Sequence, residues 1–160
     1  MARNFSNLND LFAAIQSDME DVMNQDVLPS TSQVMSEKTQ TEVYDAYDPY
    51  QHQRRGASGG LADPSNVVGT VIDRTGYGMT MLIQNITKGA NSGQPIAGLI
   101  EHGDSNGHGE YDWKTNRSNT AYKYLQPRRF MFESVRHMQL TLSHVKAMKS
   151  GLRARGYTIK

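Results

Sequence analysis

The densest set of side chains able to do chemistry in this sequence is Glu101-His102 with Asp104, followed by His108, Glu110 and Asp112. Imidazole and carboxylate groups at such short spacing suit zinc or another divalent ion, and His102, Asp104 and His108 would begin such a site. Gly103, Ser105, Asn106, Gly107 and Gly109 are interleaved with them. A metal site needs neighbours that hold its ligands in orientation, and this composition instead predicts a mobile, polar, solvent-facing loop. His137 and His144 stand seven apart and share a helix face, whereas a zinc-binding helix pairs histidines four apart; surface or interface histidines are expected. Ser134 and Ser143 lack the flanking pattern of a nucleophile elbow. Gly56, Gly59 and Gly60 are followed by no Lys-Ser/Thr pair, so they do not form a phosphate-cradling loop. From these patterns the chain is expected to be no enzyme, with no cofactor and no metal.

The chain that positions these residues has 160 of them, enough for one domain. Hydrophobic residues make up 37% and the mean hydropathy is −0.64, so part of the chain is expected to order only against partners. The absence of cysteine excludes disulfides, thiolate metal sites and thiol catalysis. No apolar run approaches the roughly 20 residues of a membrane span, and Met1-Ala2-Arg3-Asn4 leads into no signal-peptide core; a soluble protein made in a reducing compartment is expected. Charge is polarised along the chain. Residues 1–50 hold two basic residues against nine acidic ones, residues 51–120 six of each, and residues 121–160 nine basic against Glu133 alone. Such a chain can pair its ends within a subunit or head-to-tail between subunits, with self-association then depending on the asymmetry. The basic end can equally meet nucleic acid.

Hydrophobic spacing predicts the elements. Leu8, Leu11, Phe12, Ile15, Met19, Val22 and Met23 form one helical stripe, with Ser6 as its N-cap. Pro29 is expected to interrupt it, and Ser30 to cap a second helix to about Tyr44. That helix has few apolar residues (Val34, Met35, Val43, Tyr44) and needs a partner to stay ordered. Residues 45–66 are turn material. Val67, Val68, Val71 and Ile72, then Tyr77, Met79, Met81 and Ile83, predict a hairpin turning at Asp73-Arg74-Thr75-Gly76. Residues 85–127 are a long polar connection with one apolar island at 96–100, mobile in the free protein and carrying the aromatic anchors Tyr111, Trp113, Tyr122 and Tyr124. A final helix, from about Arg128 to Arg155 and ended by Gly156, carries Met131, Val135, Met138, Leu142, Val145 and Leu152. Its stripe is expected to cover the Met79/Met81/Ile83 face of the hairpin, which is marginal alone. The predicted fold class is α+β: N-terminal helices, a small antiparallel β-sheet with a long loop, and a long C-terminal helix packed on the sheet. A single domain, 1–160, divides into a helical segment (1–46), a turn motif (47–66), a hairpin, long loop and further strand (67–127), and the last helix with its tail (128–160).

Two stretches carry a resemblance. The first is Val43-Tyr44-Asp45-Ala46-Tyr47-Asp48-Pro49, then Arg54-Arg55, then Gly59-Gly60-Leu61-Ala62-Asp63-Pro64-Ser65-Asn66. The second is Leu99-Ile100-Glu101-His102-Gly103, resuming at Gln126-Pro127-Arg128-Arg129-Phe130-Met131. Together they resemble the tail-component, or head–tail joining, family of long-tailed bacteriophages, over about residues 7–156. His102 stands where that family has an aromatic, ending a strand, and Arg129 where it has a proline opening the last helix. The resemblance implies a structural α+β subunit that assembles with itself as a ring of six-fold or twelve-fold order around the DNA channel. It implies phage head-connector and tail proteins as partners, a place in the virion at the head–tail junction or upper tail after assembly in the host cytoplasm, no membrane, and no catalytic residues. Physically, Arg54 and Arg55 beside Tyr44 and Tyr47 can fix the loop to the helix end by stacking and charge-assisted contacts. Arg54, Arg55, Trp113, Arg128, Arg129, Arg153 and Arg155 are the interface candidates. The alternative is a module that binds nucleic acid non-specifically through the basic last helix.

Overall fold

In the computed structural model, which describes residues 5–46, 54–56, 58–75, 78–89, 93–103 and 126–159, helix α1 (Leu8–Val22) is capped by Asn7 and not by Ser6. The Asn7 side chain accepts from the Asp10 N–H at 2.9 Å, while Ser6 Oγ donates to the Asp10 carboxylate. Pro29 does not stop the helix. A π-turn, Met23–Val27, leads directly into α2 (Leu28–Thr39), and a second, Gln40–Tyr44, continues it. The Leu28 N–H reaches back to Met23 O, and this widened turn leaves Pro29 in the first turn of α2, where its missing donor costs nothing. The expected break is a shift of register, and Leu8–Tyr44 is one helical run of roughly 55 Å.

Strands β1 (Val67–Thr75) and β2 (Gly78–Asn85) form the expected antiparallel hairpin. Pairing runs from Val67–Asn85 to Thr75–Gly78, so Asp73, Arg74 and Thr75, expected in the turn, belong to the strand; Gly76 lies outside the described residues. Ile72 is the extra residue of a bulge between the Val71–Met81 and Asp73–Thr80 pairs. The strand expected beyond the hairpin is instead helix α3 (Ala97–His102); a short apolar run does not by its period separate strand from helix. The C-terminal helix is present with one break. Leu142 adopts a left-handed conformation (φ 53°, ψ 31°) between α4 (Phe130–Thr141) and α5 (Ser143–Ala154). Gly156 ends α5 as predicted, at φ 92°, with the Tyr157 N–H returning to Leu152 O at 3.1 Å. Helices with a small two-stranded sheet make the fold α+β.

The packing departs from the expected layering. α4 lies along α2, α5 against the first π-turn and α1, and the hairpin rests on α1 and α2. The N-terminal helices share the covering of the Met79/Met81/Ile83 side with the start of the last helix: a Cβ on Gly69 would sit 2.7 Å from Met81 Sδ and 3.3 Å from Leu28, and Ile83 packs against the core cluster that includes Phe130 of α4. The reason is the composition of α2. Its buried face is Thr31, Ser32, Val34, Met35 and Thr39, small enough to be approached closely from both sides. Two of its buried hydroxyls need no outside partner, because Ser32 Oγ donates to Leu28 O at 2.9 Å and Thr39 Oγ1 to Met35 O at 2.7 Å. The helix read as poor in apolar residues is the centre of the fold. Met35, Val43, Leu61, Val67, Ala97 and Phe130 form the core around it.

Candidate functional site

The two stretches that carry the resemblance meet at the Tyr44 end of the long helical run. Arg54 lies over the Tyr44 ring at 5.2 Å, a cation–π contact, and Tyr44 Oη accepts from the Ala62 N–H at 3.2 Å. Arg55 donates to Lys88 O. The turn motif between them is wound tightly: a Cβ on Gly60 would overlap the Gly56 carbonyl, and Gly59 has φ +67°. Asp63 closes the turn, accepting from the Gly59 N–H at 2.5 Å, the Ser65 N–H at 2.9 Å and Ser65 Oγ at 2.7 Å. The Ser65 hydroxyl first, and these backbone donors with it, hold the Asp63 carboxyl below its ordinary value. Asn66 and Thr87 both donate to Gly60 O, Asn85 to Leu61 O and Ser36 to Ala62 O, so the motif ties α2 to the open end of the hairpin.

Glu101 is the residue that the sequence reading misplaced most. It is 6% exposed, and its oxygens accept from the Met131 N–H at 2.8 Å and the Phe132 N–H at 3.0 Å. It caps α4 from another element, since Arg129 at the helix's own N-cap position makes no side-chain cap bond. The Arg128 N–H donates to Ile100 O at 2.8 Å, which pins the two segments together. A signal was available: a carboxylate directly after the 96–100 apolar island has to find donors if it is buried. A cleft of about 400 Å³ opens beside this junction, lined by Glu42, Ala46, Gln126, Pro127, Arg128, Arg129 and Glu133. Its lining carries both signs of charge.

The interface candidates separate into two kinds. Arg54, Arg55 and Arg155 brace their own chain, Arg155 donating to Asp26 at 3.3 Å, Gln25 at 2.9 Å and Gly151 O at 3.1 Å. Arg128 is buried, at 8% exposure. Arg129 and Arg153 are exposed, although Arg153 also donates to Ile159 O at 3.0 Å. Trp113, like Tyr111, Tyr122, Tyr124 and Tyr47, lies outside the described residues. Of the residues considered for metal binding, His102 is exposed, Glu101 is committed to α4, and Asp104 and His108 lie outside the described residues. Among the described residues no group of His, Asp and Glu could hold a metal, and no helix is long and apolar enough to cross a membrane.

What the sequence did not single out is the uncovered apolar surface. Leu8, Phe12, Ile72, Phe132 and Leu140 are each more than half exposed, and Val135 and Leu142, expected in the core, are 49% and 50% exposed. No curated protein and no solved structure matches the sequence. The family described as YomN matches residues 7–154, nearly the whole chain. The chain therefore belongs to the YomN family.

Proposed function

We propose that this chain is a non-enzymatic structural subunit of a phage virion, acting at the head–tail junction. It assembles in the host cytoplasm as a homo-oligomeric ring around the DNA channel and joins the head connector to the tail. Membership of a family derived from Bacillus phage supports the phage origin, and the resemblance of the two motif stretches supports the junction. The single observation that carries the reading is the set of large apolar side chains left at the surface of α1 and α4, with Leu8 at 68% and Leu140 at 78% exposure. Large apolar side chains clustered on an exposed helix mark a surface that a partner covers. Lys146 and Arg153, exposed on α5, favour a second reading in which this helix meets the DNA backbone; duplex binding that weakens steeply with salt would support it.

The test is genetic and microscopic. Phage lacking this chain should accumulate filled heads and separate tails that purified protein joins on addition, and antibody against the chain should label the neck of intact particles. Complete, infectious particles made without it would overturn the reading.

A further inference from the structure

The first turns of helix α1 are exposed. Among the described residues, its hydrogen bonds to other elements begin at Gln16, whose Nε2 donates to Thr75 O at 3.2 Å, and at Asp18, which accepts from Tyr157 Oη at 2.7 Å. The turns before them carry Phe5, Leu8 and Phe12 at 39%, 68% and 54% exposure. Leu8 and Phe12 are four apart and share a face, with Asp10 exposed beside them. Residues 8–44 are one helical run and α4 lies along its α2 part, so this arm cannot fold back onto its own α4.

The surface of α4 offers the complement. Phe132, Val135, Arg136, Gln139 and Leu140 are all exposed, and at 3.6 residues per turn they occupy one arc of about 140°. The apolar members are 54%, 49% and 78% exposed, and the Arg136 side chain 63%. The charged groups on these two surfaces are opposite in sign: Asp10 is exposed on the arm, and Arg136, which also reaches Glu133 at 3.5 Å, is exposed on the α4 face.

We infer that the N-terminal half of α1 docks on the exposed face of α4 in a second copy of this chain. The inference rests on the ring reading above and names the surfaces that would build it. Arm and receiving face are different surfaces, and every copy carries one of each. The contact is therefore heterologous, and it closes into a ring if the rotation between copies divides a full turn. The apolar side chains supply the attraction, and Asp10 against Arg136 favours the α1–α4 pairing over α1–α1 or α4–α4, which would set like charges together.

Two full-length variants test it by sedimentation equilibrium. Leu8→Lys/Phe12→Lys spoils the arm, and Val135→Asp/Leu140→Asp spoils the face; all four positions are at the surface, and melting curves check that both variants fold. The wild type should form species larger than one 17.9 kDa chain as concentration rises. Each variant alone should remain a single chain, a loss of at least ten-fold in association. An equimolar mixture should form a two-chain species and nothing larger, because only one intact arm and one intact face remain. A wild type that stays monomeric, or a mixture that does not pair, overturns the inference. As a second measurement, the chain has no cysteine, so Leu8→Cys/Leu140→Cys should cross-link into a ladder under mild oxidation while Leu8→Cys alone does not; the reverse result would mean arm-to-arm pairing and also overturns it. The reading of function fails separately: a chain that oligomerises in this way yet is missing from virions sinks the junction role alone.

Discussion

A single carboxylate, Glu101, supplies what the start of α4 lacks. With Arg129 at the N-cap position, the first N–H groups of the helix have no local acceptor, and the Glu101 oxygens take those of Met131 and Phe132. Glu101→Gln keeps the shape but turns one acceptor into a donor that faces an N–H. It should cost about 1–3 kcal/mol, the usual effect of stranding a buried polar group, and lower the urea midpoint with the slope unchanged. A variant as stable as the parent would show that water satisfies the helix start. Asp63 gives a pH signature. Its folded value lies below the ordinary 3.8, so its contribution is present above that pH and lost as pH falls through the lower, folded value. Asp63→Asn should therefore flatten the dependence of stability on pH below 3.8, and acid-unfolding curves that superimpose on the parent's would rule this out. Arg54 over Tyr44 was legible from the motif's residue types, because a guanidinium stacks favourably on a phenol ring. The partners of Glu101 were not, since they come from some 30 positions later.

At the level of elements, the break at Leu142 is not written in any local signal. Gln139-Leu140-Thr141-Leu142-Ser143-His144 contains neither Gly nor Pro, yet Leu142 has φ 53°. The left-handed region costs a residue with a Cβ about 1–2 kcal/mol. The break also leaves Ser143 Oγ and His144 Nδ1 buried without a hydrogen-bond partner among the described residues. Leu142→Gly should then raise the melting temperature, by the equivalent of up to about 1 kcal/mol. Leu142→Ala should change stability by less than about 1 kcal/mol, where a core leucine would lose about 2–5. A large loss in Leu142→Ala would restore the continuous stripe expected from the 3–4 spacing. A second element-scale feature is the approach of α5 to the first π-turn. A Cβ on Gly151 would lie 2.5 Å from Asp26 Oδ2 and 2.7 Å from Val22 Cγ1. Gly151→Ala should destabilise by about 1–3 kcal/mol despite alanine's better helix propensity. Gly98→Ala, on α3 with nothing within 4 Å, should be neutral or stabilising by about 1 kcal/mol. Equal effects in thermal melts would mean that α5 does not pack this closely.

Across the whole molecule, the charge polarity is partly consumed inside the subunit. Arg155 with Asp26, Tyr157 with Asp18, and Arg74 with Glu20 at 2.7 Å each join a later residue to the acidic N-terminal run. Arg153 and Arg155, both interface candidates by sequence, are separated by the structure. Arg155→Glu sets a carboxylate against Asp26, where the arginine side chain is only 19% exposed, and should cost about 2 kcal/mol. Arg153→Glu should leave the melting temperature nearly unchanged. Matching melting curves for the two variants would show that the Arg155 contacts hold nothing together.

The sequence by itself determined what local periodicity and residue chemistry encode: an α+β chain, a helical N-terminus, the Val67–Ile83 hairpin, the Gly156 stop, and Arg54 bracing Tyr44. These depend on neighbours a few residues apart, whose spacing is visible in one dimension. Only the tertiary structure decided which faces met. Small hydroxyl residues on α2, polar in any binary pattern, became the centre because their oxygens bond back to their own helix. The hairpin then settled on α1 and α2, Pro29 was absorbed by a π-turn, and the apolar residues of α4 were left facing outward. Hydrophobic spacing states that a residue is apolar and on a given face. Whether that face meets the chain's own core or another molecule depends on how much apolar surface the remaining elements can cover, and that is set by the assembled fold.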